Sequence, residues 1–74
     1  MQVIDFIYNL VGRGFIIKIK QSKDEPFDGE SQNWTTWVIQ KEGSTKKFGV
    51  CVKKTWNNAM VIDTIENEIA KKEN

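Results

Sequence analysis

The chain has 74 residues, with eleven basic and ten acidic side chains, no histidine, one cysteine and a formal net charge of +1. A chain this short buries only about 60% of its unfolded surface, and no internal disulfide is available to compensate. Without histidine a zinc site is nearly excluded, so the expectation is one domain over residues 1–74 that gains stability as a homodimer.

Met1 is followed by no basic n-region, apolar h-region or small-residue cleavage site, so no secretory signal is expected. No apolar run approaches the ~20 residues that span a bilayer. A cytoplasmic chain without membrane contact is therefore expected, and the free Cys51 suits a reducing compartment.

Val3 to Leu10 (VIDFIYNL) is rich in β-branched and aromatic residues, with Ile4, Phe6, Tyr8 and Leu10 on one side. It reads as a first strand over 3–10, although Val3, Ile7 and Leu10 also fit helical spacing. Gly12 and Gly14 punctuate a turn around Arg13. Phe15 to Gln21 alternates Phe15, Ile17 and Ile19 against Ile16, Lys18 and Lys20, giving a second strand over 15–21. Ser22 to Asn33 carries the single proline and many turn formers, and so long a loop is often functional.

Trp34 to Lys41 (WTTWVIQK) reads as a third strand over 34–41. Glu42-Gly43-Ser44 turns the chain into a fourth over 46–53. There Phe48, Val50 and Val52 alternate against Lys47, Gly49, Cys51 and Lys53. Thr55 is the expected N-cap of a helix over 56–72. Ala59, Ile62, Ile65 and Ile69 form its apolar stripe, widened by Trp56, Met60 and Val61. That arc is broader than a small sheet needs, so Met60, Ile62, Ile65 and Ile69 are expected to meet a second copy. The expected class is α+β: a four-stranded curved antiparallel sheet and one C-terminal helix, β-β-β-β-α, dimerising through the helix.

Charge is unevenly placed along these elements. Arg13 to Lys54 holds nine basic residues against five acids, while Thr55 onward holds four acids and two lysines. Ser44 to Trp56 alone has four lysines and no acid. No histidine, Gly-rich phosphate loop or partnered nucleophile points to an enzyme, a metal or a cofactor. What the sequence offers is a set for gripping single-stranded nucleic acid: aromatic faces for bases and lysines for phosphates. The candidates are Phe27, Trp34, Trp37 and Phe48 for stacking, and Lys18, Lys20, Lys41, Lys46 and Lys47 for phosphate. Trp34 and Trp37 lie on opposite faces of a regular strand, so one belongs to the core, and Trp34 is the expected exposed one.

Thr45-Lys46-Lys47, then Gly49-Val50-Cys51-Val52, then Trp56 resembles the last strand and early helix of the transcriptional positive cofactor 4 family of single-stranded-DNA-binding coactivators. Phe48 is an extra residue in that pattern and Trp56 falls one position early. Phe27-Asp28-Gly29 is similar to the family's Phe-Lys-Gly turn, with acid replacing lysine. The resemblance implies a homodimer joined through its helices, with curved sheets offering channels to single strands or melted duplex. The leading expectation is a sequence-tolerant single-stranded-DNA-binding homodimer acting in transcription, replication or recombination. The alternative is a small regulatory protein whose exposed aromatics Phe27, Trp34 and Trp37 anchor another protein. A third order, α-β-β-β-α, is similar to a double-stranded-RNA-binding domain and requires Val3 to Leu10 to be helical. Lys53-Lys54 ahead of Asn58-Ala59 is its one sequence feature, without the usual glycine pattern.

Overall fold

The computed structural model describes residues 1–22 and 33–73. In chain order they form α1 (Val3–Gly12), β1 (Phe15–Gln21), β2 (Trp34–Lys41), β3 (Lys47–Lys53) and α2 (Asn58–Glu73). Among the described residues the sheet therefore has three strands, in the order β1-β2-β3, both pairs antiparallel. This corrects the expected four-stranded β-β-β-β-α fold: the segment expected as the first strand is a helix. The described residues follow the order α-β-β-β-α, not the β-β-β-β-α order implied by the likeness to positive cofactor 4 proteins.

The reason lies in which apolar set of VIDFIYNL is buried. Phe6 and Leu10 are inside and Val3 and Ile7 pack partly against the core, which is the i, i+3, i+4, i+7 spacing of one helix face. Ile4 and Tyr8, which a strand would place beside Phe6, point to solvent instead, at 54% and 71% exposure. The helix ends where Arg13 N donates to the carbonyls of Asn9 and Leu10 and Gly14 N to that of Val11. Gly14 then takes φ +91, a left-handed conformation open to glycine and costly for other residues. Its carbonyl accepts a 2.7 Å bond from Glu42 N, which ties the start of β1 to the β2–β3 turn.

Register fixes the two faces of the sheet. Phe15 pairs with Lys41 and Gln21 with Thr35; Gln40 pairs with Lys47 and Trp34 with Lys53. Residues directly opposite share a face, so Phe15, Ile17, Ile19, Trp37, Ile39, Phe48, Val50 and Val52 point one way. Both helices pack on that side. Phe6 and Leu10 of α1 and Val61, Ile65 and Ile69 of α2 join Phe15, Trp37, Ile39, Val50 and Val52 in one core. The Phe6 and Trp37 rings lie 6.4 Å apart, tilted by 38°. Across the helices, Arg13 Nη1 donates to Glu66 Oε1 at 2.7 Å.

This packing also changes what α2 is for. Ile65 and Ile69, expected at a dimer interface, are 0% and 2% exposed within the single chain. Ile62 is half-buried against the same core, and Met60 alone of the four is exposed. The broad apolar arc of α2 is used in covering a sheet it shares with α1. The helix begins three residues after Thr55: Asn57 Oδ1 accepts from Met60 N at 2.9 Å, so Asn57 provides the cap. Among the described residues no helix is long and apolar enough to cross a membrane.

Candidate nucleic-acid interface

The second face of the sheet carries Ile16, Lys18 and Lys20 of β1, Thr36, Val38 and Gln40 of β2, and Lys47, Gly49, Cys51 and Lys53 of β3. No described helix covers it: Ile16, Lys18, Lys20, Lys47 and Gly49 are exposed, and Thr36, Val38, Gln40, Cys51 and Lys53 half-buried. Its cations stand on the two outer strands, Lys18 and Lys20 on one side and Lys47 and Lys53 on the other. With adjacent strands about 4.8 Å apart, the two rows are separated by roughly 10 Å at the backbone. Between them runs a neutral lane of Thr36, Val38 and Gln40, bordered by Gly49 and Cys51.

The lane is low and tied together. Ser22 Oγ and Thr36 Oγ1 share a 2.7 Å hydrogen bond, and Thr36 Oγ1 lies 3.7 Å from Cys51 Sγ. At Gly49 a methyl group would meet only Thr36 Cγ2, at 3.5 Å, so the absent side chain leaves the lane flat without being sterically required. None of the described acids (Asp5, Glu42, Asp63, Glu66, Glu68, Glu73) belongs to this face. The ion pairs among the described residues, Arg13–Glu66 and Lys71–Glu68, use none of its lysines. Four ammonium groups around a neutral strip make a place where a polyanion's charge is met from both sides.

The expected site residues divide between the two faces. Lys18, Lys20 and Lys47 are brought together on the open one, and Lys53, which sequence reasoning missed, joins them. The signal was present: Lys53 shares the alternation of Lys47. Lys41 belongs to the other side, in phase with Trp37 and Ile39; its Nζ sits 4.5 Å from the centroid of Phe15 and donates to Arg13 O at 3.3 Å. Lys46 lies exposed in the turn before β3, its N–H donating to Ser44 Oγ.

The aromatics divide in the same way. Trp37, expected as a stacking candidate, is 3% exposed and in the core. Phe48 is half-buried on the helix side, with Lys72 Nζ 5.8 Å from its centroid. Both follow from strand phase, because Phe48 alternates with Val50 and Val52 and pairs with the buried Ile39. Trp34 points to the open side at the end of the lane, half-buried, its ring edge-on to Trp56 at 5.6 Å and 73°. Phe27 lies outside the described residues. No protein-family model, curated protein or solved structure matches the chain.

Proposed function

We propose that the chain binds single-stranded nucleic acid along the open face of its sheet. The observation that carries this reading is the pair of lysine rows flanking a neutral lane that holds no acid among the described residues. An extended strand laid over Thr36, Val38 and Gln40 would set its phosphates against Lys18 and Lys20 on one side and Lys47 and Lys53 on the other. With Trp37 and Phe48 turned to the helix side, Trp34 at one end is the described aromatic left for stacking on this face. Binding is then mainly electrostatic, tolerant of sequence and steeply dependent on salt. The lysine rows and the lane lie within a single copy of the chain, and Ile65 and Ile69, expected between copies, are used in its core.

The test is a titration with labelled oligo-dT and an equal-length duplex at two salt concentrations. Single strand is expected to bind more tightly, and Lys18→Glu with Lys47→Glu to abolish the preference while leaving the far-UV spectrum unchanged. The salt slope should fall by about 0.7 for every phosphate that no longer meets a lysine. An unchanged slope and affinity would remove the sheet face from consideration.

The element order favours a second reading, binding of duplex RNA by shape. Lys53 and Lys54 stand at the end of β3 just ahead of α2, Lys54 donating to Gln21 Oε1 at 2.6 Å. Preference for duplex RNA over both single strand and duplex DNA, lost in Lys54→Glu and retained in the Lys18/Lys47 variant, would select it. The protein-partner alternative keeps only Trp34 of its described anchors, since Trp37 is interior.

A further inference from the structure

A cleft of about 560 Å³ opens at the end of the sheet, between the β2–β3 turn and the last turn of α2. Among the described residues its walls include Lys41, Lys46, Lys47 and Lys72, against one acid, Glu73. Three net positive charges therefore converge on one concavity. None of the four lysines makes an ion pair among the described residues. The floor is aromatic: Phe15 and Phe48 both line it, each with an ammonium group near its ring face, Lys41 at 4.5 Å and Lys72 at 5.8 Å. Phe15 is buried and already covered by Lys41, and Arg13 approaches its ring at 5.6 Å. Phe48 is half-buried, so its ring has surface left to offer.

The volume lies within the usual range for small-molecule sites, about 300–1,000 Å³. A monocarboxylate would leave two of the net charges unanswered, and a bare phosphate would leave the Phe48 face wet. The combination calls for a planar ring joined to about three negative charges. We infer that this cleft binds a nucleotide, its base against Phe48 and its phosphates among Lys41, Lys46, Lys47 and Lys72. Two sources supply that chemistry: a free nucleoside diphosphate, or the 5′-phosphorylated end of a strand, whose terminal and first internal phosphates together carry a similar charge. The site shares Lys47 with the open sheet face but is otherwise separate from it, because Phe48 and Lys72 lie on the helix-covered side.

The experiment is isothermal titration of the intact chain with ADP, adenosine, pyrophosphate and decanoate, with amide shifts mapped by NMR. Saturable binding of ADP is expected, tighter than any of the other three, with shifts at Phe48, Lys46 and Lys72. Lys72→Glu alters an exposed side chain and should weaken ADP at least tenfold while leaving binding of 5′-hydroxyl oligo-dT unchanged. Phe48→Leu should weaken ADP and leave pyrophosphate as it was, a split that general damage to the fold would not give. Oligo-dT with and without a 5′-phosphate separates the sources. An affinity gain from the phosphate that disappears in Lys72→Glu assigns the strand end; ADP binding without such a gain assigns the free nucleotide. Failure of both ligands to shift these amides overturns the inference, as would decanoate binding as tightly as ADP.

Discussion

Trp34 and Trp37 are three positions apart on β2, and their side chains leave the sheet on opposite sides. Trp37 is enclosed against Phe6 and Val50, so Trp37→Ala should cost about 3–5 kcal/mol in denaturant unfolding. Trp34 keeps part of its surface in water and rests on the edge of Trp56. Its replacement by alanine should cost clearly less than that of Trp37 and should quench any nucleic-acid-induced change in emission. Equal losses for the two would contradict this division. The Arg13–Glu66 pair is short but more than a third exposed on both sides. Glu66→Gln should therefore cost no more than about 1 kcal/mol, and less in high salt, as paired urea curves would read out.

At the scale of elements, α1 is where sequence and structure part. VIDFIYNL is apolar at most of its positions, so both a period of two and a period of 3.6 can be drawn through it. Only burial separates them. Phe6→Ala and Leu10→Ala should each cost about 2–5 kcal/mol, while Ile4→Ala and Tyr8→Ala stay within about 0.5 kcal/mol. A strand would make Ile4 and Tyr8 as costly as Phe6. β1 and β3 were easier to read because lysine marks one side of each alternation, leaving a single face that a core can accept. Their faces could be read; their register could not, since no local pattern fixes the offset between β1 and β2, which residues 22–33 separate in the chain. The start of α2 was displaced by a similar ambiguity. Thr55 and Asn57 are both cap formers, and the hydrogen bond to Met60 N chooses Asn57. Asn57→Ala should cost about 0.5–2 kcal/mol, and Thr55→Ala much less, in thermal or urea unfolding.

For the molecule as a whole, the added helix changes what holds the chain together. The sequence promised one helix and a surplus of apolar surface, and the natural sink for a surplus is a second copy. With α1 in place, Ile65 and Ile69 meet Phe6, Leu10 and the sheet within one chain. Ile65→Lys should therefore unfold the protein equally at all concentrations, as circular dichroism across a dilution series would show. Unfolding that deepens on dilution would instead place Ile65 between copies. The candidate site was half legible at this scale. The lysine rows and the inward turn of Phe48 follow from alternation alone, whereas the exposed Lys41 falls on the helix side through its phase with Trp37, whose burial alternation alone does not fix.

The open lane has neighbours on either side, for among the described residues β1 and β3 are both edges of the sheet, with outward backbone groups that another chain could meet. The lysines on those strands are the charges that keep like edges apart. A polyanion that neutralises them would remove that guard while also bringing several chains onto one thread. Long single strands should then gather the protein into side-by-side arrays, with light scattering that peaks near charge balance and clears again when either component is in excess.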